Sequence, residues 1–221
     1  MSSQLPTVQP GSPGRKQVIS REDIIQAALK LLGPNRSVST LSLREVAREA
    51  GVAPNSFYRH FRDMDELAVA LIDLAGQSLR QLIGEARQRA SAEHSVVQAC
   101  TEAFMDRLHA DDPLLHLLLR EGSVGSTAFK QAVERQLSFF EEELRLDLIH
   151  LAELKQTGLY EPALTAKAIT RLVFAMGATA LDLSEDQYGE FTRQIVAMVR
   201  IIISGTQTLA HSPALNRDST G

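Results

Sequence analysis

Apolar residues recur at helical spacing along most of the chain, and no segment alternates apolar and polar residues as a strand does. The first helical segment begins at a capping-box pattern over 20–23 and stops at Gly33-Pro34. The second begins with an S-x-x-E box at Ser42 and stops at Gly51, and the third is predicted over 54–61. The pattern therefore predicts three short helices near the start of the chain.

A fourth helix is predicted directly after them, capped by Asp63. Later helices are predicted near 94–110, 113–121, 126–150, 163–181 and 186–209. The expected fold class is all-α. A three-helix helix-turn-helix domain (15–62) is joined by the fourth helix to a larger helical ligand-binding and dimerisation domain (63–210). The polar, aperiodic segments 1–14 and 211–221 are expected to be disordered tails.

Composition places the chain among globular proteins, with 44% hydrophobic and 23% charged residues. The single cysteine, Cys100, favours a reducing environment. No apolar run approaches the roughly 18 residues that span a bilayer, and no secretion signal is visible. We therefore expect a cytoplasmic protein without a membrane partner.

Charge is distributed unevenly along the chain, whose overall net charge is −4. Residues 1–62 carry nine basic and four acidic side chains, a net charge of +5, and the remainder carries −9. Such asymmetry is typical of a small phosphate-facing module attached to an acidic body, although it also arises by chance.

The stretch 41–61 matches two short helices joined by a glycine-containing turn, which is helix-turn-helix geometry. Gly51 makes the turn, and Phe57 and Phe61 lie four residues apart, so that both dock on the core. The side chains left to face a DNA groove are Asn55, Ser56, Tyr58, Arg59 and His60.

The chemistry of each side chain indicates which part of the DNA it contacts. Asparagine pairs with adenine and arginine with guanine in the major groove, so Asn55 and Arg59 are predicted to read bases. Arg44 is predicted to contact the groove edge. The predicted phosphate contacts, which position without reading sequence, are Ser56, Tyr58 and His60. A capping or packing role at the end of the third helix is the alternative for His60.

The combination V-A-x-x-A-G-V-x-x-x-S-F-Y-x-H-F over 46–61 resembles the TetR family of transcriptional regulators. This resemblance implies a homodimer that binds palindromic double-stranded operator DNA, usually represses, and releases DNA when a ligand enters the larger domain. Two positions depart from the family pattern. Ala53 stands where a Ser or Thr cap is frequent, and Met64 stands, between two aspartates, where a phosphate-binding Lys is common.

The stretch 41–67 is similar, more narrowly, to the branch of that family that represses unsaturated fatty-acid synthesis in proteobacteria. The runs 117–121 and 125–129 are similar to that branch as well. This resemblance implies a lipid effector, a long-chain acyl-CoA or acyl-carrier-protein thioester, and no cofactor.

Several apolar stripes in the larger domain are candidates for lining a ligand pocket, although such stripes equally fill a core. The candidate ligand-binding residues are Phe104, Met105, Leu108, Leu118, Phe129 and Phe174, with Arg120 for an anionic head group. An ion pair with a nearby glutamate is an equal alternative for Arg120. Segments 166–181 and 191–205 are rich in small and apolar residues. They are predicted to form a four-helix bundle across a two-fold axis, or else an intrachain hairpin.

No catalytic motif, phosphate-binding glycine loop or metal-ligand spacing is present in the sequence, so neither an enzyme nor a metal site is expected. Cys100 is interpreted as a small core residue rather than a redox switch. Two other hypotheses stay open. One is a regulator of efflux or catabolic genes that responds to a drug-like or aromatic ligand. The other is a helical lipid carrier or enzyme without specific DNA binding.

Overall fold

The computed structural model describes residues 19–32, 36–90, 95–110, 112–124 and 126–212, and the regular elements in these ranges are all helical. They are α1 (Arg21–Leu32), a 3-10 helix (Val38–Thr40), α2 (Leu43–Glu49), α3 (Pro54–Phe57), α4 (Met64–Arg89), α5 (Val96–His109), α6 (Pro113–Val124), α7 (Thr127–Lys155), α8 (Pro162–Ala180), a second 3-10 helix (Glu185–Gln187) and α9 (Tyr188–Ala210). The all-α fold class is confirmed. The predictions for 1–14, for Gly33-Pro34 and for 213–221 lie outside the described residues, and the domain limits stay predictions.

The predicted helix starts are fixed by side-chain caps. The Asp23 amide donates to Ser20 Oγ at 3.1 Å, and the Ser20 amide donates back to Asp23 Oδ2 at 2.8 Å. At the start of α4, Asp63 Oδ1 accepts from the Glu66 amide at 2.8 Å. The first amides of a helix have no partner within it, so these caps determine where α1 and α4 begin.

The third helix, α3, is shorter than predicted, because it ends at Phe57 rather than near Phe61. Beyond Phe57 the backbone tightens into turns. The Arg59 amide donates to the Ser56 carbonyl at 3.3 Å, and the His60 amide donates to the Phe57 carbonyl at 2.9 Å. These bonds span three residues rather than four, so the side chains that follow are presented from a turn.

Two later helices continue beyond their predicted ends at residues 121 and 150. α7 ends only where Gln156 adopts a left-handed conformation, with φ 51°. The Thr157 amide then donates to the Ala152 carbonyl at 2.9 Å, closing the helix. A glutamine gives no glycine-like signal at this position, which is why the sequence did not predict this end.

The two parts of the fold are joined by α4. In the N-terminal part, α1, α2 and α3 pack around Ile24, Val46 and Phe57, none of which is accessible to solvent. In the larger part, α4 packs against α5, α6 and α7. α8 packs on α5, α7 and α9, and α9 packs on α5 and α8. α6 also touches α1, so the two parts meet along α4 and α6.

Within the described ranges, no helix is both long and apolar enough to cross a membrane. The same residues contain no group of three or more histidine, cysteine or acidic side chains placed to hold a metal ion. Of the histidines considered in the sequence, His116 is buried with Nε2 3.4 Å from the Leu108 carbonyl oxygen. The His109 ring packs edge-on against Tyr188, with centroids 4.8 Å apart.

Candidate DNA-binding surface and ligand cavity

The turn between α2 and α3 depends on Gly51, whose φ of 71° lies in the left-handed region. The Val52 amide donates to the Ala47 carbonyl at 2.9 Å, and the Gly51 amide donates to the Arg48 carbonyl at 3.1 Å. This pair of bonds satisfies the last carbonyls of α2 and requires a residue that tolerates positive φ. The predicted role of Gly51 is confirmed.

The start of α2 is held by a bonded group of three side chains. Ser42 and Glu45 form the predicted capping box, with the Ser42 amide 3.0 Å from Glu45 Oε2. Arg36 Nη2 adds hydrogen bonds of 3.1 Å to both Glu45 carboxylate oxygens. Hydrogen bonds from the Ser42 backbone and hydroxyl, followed by Arg36, lower the pKa of Glu45 to about 2. The side chain of Arg36 is therefore committed to the fold.

The inner side of α3 is aromatic. Phe57 and Phe61 are 0% and 1% exposed, and their ring centroids lie 5.6 Å apart. The guanidinium of Arg21, at the start of α1, covers the Phe61 ring at 4.6 Å. The prediction that both phenylalanines belong to the core is confirmed, and they fix which side of α3 faces outward.

The outer side of this unit exposes Arg44, Asn55, Tyr58 and Arg59. Tyr58 is 60% exposed and stacks edge-on against Phe57, at a centroid distance of 5.9 Å. The side chains of Arg44, Asn55 and Arg59 make no hydrogen bond or ion pair to other described residues. They therefore need not break an existing contact to bind a base or a phosphate.

Ser56 and His60 are half-buried rather than exposed. His60 also lies near Asp23. The Asp23 pKa is lowered mainly by hydrogen bonds from Ser20 and to a smaller extent by the charge of His60. This position suits the alternative packing role of His60 as well as a phosphate contact, and its contact with DNA stays a prediction.

The start of α4 offers little to a phosphate. Met64, at the position where the family resemblance expects lysine, is half-buried against the core. The neighbouring Arg62 is paired with Glu66, at 3.1 Å between Nε and Oε2. Hydrogen bonds from the Arg62 amide and guanidinium lower the pKa of Glu66. The nearest cation is thus already engaged within the protein.

A cavity of about 160 Å³ lies among α4, α5, α7, α8 and α9 and is partly open to solvent. Most of its wall is apolar. The lining residues are Leu79, Ile83, Arg87, Val96, Val97, Cys100, Thr101, Phe104, Phe140, Glu143, Leu144, Asp147, Leu148, Leu151, Ile169, Thr170, Val173, Phe174, Val199 and Ile203. Such a concave apolar wall with a few polar groups is typical of a small-molecule site.

Only two of the predicted ligand-binding residues line this cavity. Phe104 and Phe174 meet across it with ring centroids 6.1 Å apart. The other apolar candidates are buried in the packed core and form no part of its wall: Met105, Leu108, Leu118 and Phe129. Arg120, on α6, does not line it either.

Sequence reasoning missed the walls contributed by α4 and α9. Leu79 and Ile83 come from α4, and Val199 and Ile203 come from α9. An apolar stripe has the same spacing whether it meets another helix or a cavity, so periodicity does not distinguish the two. The sequence signal that could have indicated the α4 wall is Arg87, a charged residue that continues the apolar stripe of Leu79 and Ile83.

Close packing beside the cavity depends on Gly177. A Cβ atom at this position would lie 2.6 Å from Phe104 Cζ and 3.3 Å from Leu119 Cδ2. The Phe104 ring, which lines the cavity, would have to shift from its packed position to admit the added methyl group. We expect Gly177→Ala to lower the free energy of unfolding by about 1–3 kcal/mol in chemical denaturation.

The matched control is Gly84→Ala, at a helical glycine of α4 where an added Cβ meets nothing within 4 Å. That change is expected to stabilise the protein by about 0.5–1 kcal/mol, because alanine favours the helix. Equal effects of the two substitutions would contradict the assigned steric role of Gly177.

A helix-turn-helix unit with a polar outer face, carried on a helical body with an apolar cavity, is an arrangement typical of one-component DNA-binding regulators. In agreement, residues 24–71 match the family model described as bacterial regulatory proteins, tetR family. This match covers the helix-turn-helix unit and the first part of α4, and it agrees with the resemblance of the sequence to the TetR family.

Solved structures match the fold across both parts of the chain. A transcriptional regulator from Rhodococcus sp. Rha1 is 17% identical, with 86% of this chain and 98% of that chain covered and a TM-score of 0.68. The reduced form of NemR from E. coli is 21% identical, with 83% and 97% covered and a TM-score of 0.66. The regulator FadR from Bacillus subtilis, in complex with stearoyl-CoA, is 16% identical, with 84% and 99% covered and a TM-score of 0.65.

Proposed function

We propose that this protein is a dimeric repressor whose affinity for a palindromic operator responds to a long-chain acyl thioester, and that it controls genes of unsaturated fatty-acid synthesis. The observation that carries the proposal is the course of α4. This helix begins beside the DNA-binding unit, where Leu67 is fully buried, and its Leu79 and Ile83 line the cavity. Leu67 and Leu79 are about 18 Å apart along the helix axis.

Coupling through α4 follows from this geometry. A ligand that binds between α4, α5 and α7 changes the position of α4 if it prefers one arrangement of the helices to the other. In a dimer, a displacement of α4 changes the spacing of the two helix-turn-helix units (α2 and α3 of each copy, the reading units). These reading units must match half-sites about 34 Å apart on DNA. The change in operator affinity that the ligand can cause is limited by the ratio of its affinities for the two arrangements of the helices.

Exposed apolar side chains on α8 and α9 support a homodimer through these helices. Leu164 and Ile201 are 61% and 70% exposed. A hydrogen bond of 3.2 Å from Thr165 Oγ1 to Thr206 Oγ1 joins the start of α8, which carries Leu164, to the C-terminal half of α9, which carries Ile201. Gly205, which is exposed one helical turn after Ile201, permits the close approach of a second copy.

An acyl thioester is supported as effector by two observations. The cavity wall is dominated by aliphatic and aromatic side chains, which suit a hydrocarbon chain. The similar FadR structure from Bacillus subtilis is in complex with stearoyl-CoA. The sequence pattern of the reading unit supports target genes in unsaturated fatty-acid synthesis.

A drug-like or aromatic effector is the second candidate, and the size of the cavity favours it. The volume of about 160 Å³ is close to the roughly 150 Å³ of an apolar protein cavity that binds benzene. A long acyl chain therefore requires the cavity to extend through its open side.

The function is tested by selecting bound sequences from a random double-stranded DNA pool, with and without palmitoleoyl-CoA or palmitoyl-CoA. We expect one palindromic sequence to be enriched and its recovery to change with acyl-CoA. If no sequence is enriched, the proposal that the protein is a sequence-specific repressor is wrong. An enriched palindrome that is insensitive to every acyl-CoA but responds to aromatic compounds would overturn the lipid effector alone.

Two substitutions separate base reading from phosphate contact. Asn55→Ala is expected to reduce discrimination at one operator position by about 1–3 kcal/mol, because the amide no longer pairs with adenine. Tyr58→Phe is expected to weaken binding to all sequences alike, because only a phosphate contact is lost. Fluorescence anisotropy with the selected operator and single-base variants measures both effects. Tyr160→Phe, in the larger part of the fold, is the matched control and should bind like the wild type.

A further inference from the structure

The cavity has a polar side and an apolar side. On the polar side, Arg87 of α4 and Asp147 of α7 form an ion pair, with 2.9 Å between Nη1 and Oδ2. Their side chains are 31% and 27% exposed, whereas Phe104 and Ile169 on the wall are 2% and 5% exposed. The cavity therefore grades from a partly hydrated polar rim to a dry interior, which is the arrangement that an amphiphile requires.

One carboxylate oxygen on the polar side accepts no aligned hydrogen bond. Asp147 Oδ2 is buried 2.9 Å from Arg87 Nη1, and their contact is an ion pair that does not have hydrogen-bond geometry. Burial raises the pKa of Asp147 even though Arg87 and His150 act to lower it. The adjacent Cys100 thiol is directed to the Ile83 carbonyl, at 3.8 Å. A buried carboxylate with an incomplete set of hydrogen bonds is unfavourable, so a ligand that brings an N–H or O–H group to Asp147 gains affinity there.

The charges around the cavity disfavour a ligand carboxylate. Glu143 and Asp147 are the acidic residues of its lining, and Arg87 is the basic one. Arg87 is already paired with Asp147, and Arg80 lies 3.7 Å from Glu143. Among the described lining residues no unpaired cation is left to receive a carboxylate, and a bound carboxylate would face two of its own charge.

We propose that the Arg87–Asp147 pair binds an amide of the pantetheine arm of an acyl thioester and so excludes the free fatty acid. The amide N–H donates to the Asp147 carboxylate, the amide carbonyl accepts from Arg87, and the acyl chain lies against the apolar wall. This inference rests on the proposed acyl-thioester effector and specifies how the thioester is distinguished from its hydrolysis product.

The test compares ligands that share one twelve-carbon acyl chain, using the full-length protein and isothermal titration. S-dodecanoyl-N-acetylcysteamine carries the amide, S-ethyl thiododecanoate lacks it, dodecanoate is the free acid and dodecylammonium is a cation. We expect the amide thioester to bind at least about tenfold more tightly than each of the others, as one hydrogen bond to a charged group provides. Equal binding of the two thioesters, or tighter binding of dodecanoate or dodecylammonium, would overturn the inference.

The substitution Asp147→Asn sharpens the test, because it removes the charge and releases Arg87. We expect the preference for the amide thioester over dodecanoate to fall by about tenfold. Glu142→Gln is the matched control, since Glu142 pairs with Arg145 on α7 and does not line the cavity. The wild-type ligand series decides the question even if Asp147→Asn does not fold. Failure of every thioester to bind would overturn the effector proposal together with this inference, whereas equal binding of both thioesters would overturn the inference alone.

Discussion

Replacing Phe57 with alanine is expected to lower the free energy of unfolding by about 3–5 kcal/mol and to abolish operator binding. Phe57 is 0% exposed and packs on Phe61 at a centroid distance of 5.6 Å. α3 spans only Pro54–Phe57 and is too short to be stable alone, so its orientation depends on this buried ring. Total stabilities of about 5–15 kcal/mol leave little margin for such a loss.

Chemical denaturation and operator titration measure the two effects of Phe57→Ala. Phe139→Ala is the matched control, because Phe139 is 52% exposed and its main contact is Arg80, at 5.0 Å from the ring. The free energy of unfolding of the Phe139→Ala protein should fall by about 1 kcal/mol or less, and this protein should bind the operator normally. A Phe57→Ala protein with wild-type stability and operator affinity would contradict the assignment of Phe57 as the anchor of α3.

Replacing Ile201 with glutamate is expected to dissociate the dimer and to lower operator affinity by about 100-fold or more. Ile201 is 70% exposed on α9, and the proposed interface would bury it against a second copy. A carboxylate there loses its hydration without gaining a partner. A monomer reaches one half-site only, so the gain from binding two half-sites at once disappears.

Sedimentation velocity and titration with the palindromic operator measure the effect of Ile201→Glu. Leu154→Glu introduces the same charge at a leucine that is 67% exposed on α7, outside the two helices of the proposed interface. The Leu154 variant should stay dimeric and bind normally. If both variants stay dimeric and bind alike, α8 and α9 do not form the interface.

Features set by a few neighbouring residues were predictable from the sequence. The caps at Ser20, Ser42 and Asp63, and the left-handed turn at Gly51, depend on hydrogen bonds within four or five residues. The reading unit is equally local, since α2, its turn and α3 occupy one continuous stretch. The end of α7 was missed, although it is local too, because Gln156 adopts a conformation that its side chain does not favour.

The candidate ligand cavity was predicted only in part, because its walls come from distant segments. Phe104 and Phe174 line the cavity as expected, but Leu118 and Phe129 are packed in the core. All four are apolar residues on amphipathic helices, and no local property separates them. Arg87 and Asp147 are sixty residues apart in the chain, and only the packing of α4 against α7 brings them within 2.9 Å.

By itself, the sequence determined that this protein is all-helical, where its first helices begin, and that it carries a helix-turn-helix unit similar to the TetR family, with Asn55 and Arg59 on its outer side. These properties follow from helical periodicity, side-chain caps and one turn, each of which acts over a single turn of chain. Only the tertiary structure decided which apolar stripes close on one another and which enclose a cavity. That outcome depends on how five helices fit together, and the hydrophobic effect drives burial without selecting the partner.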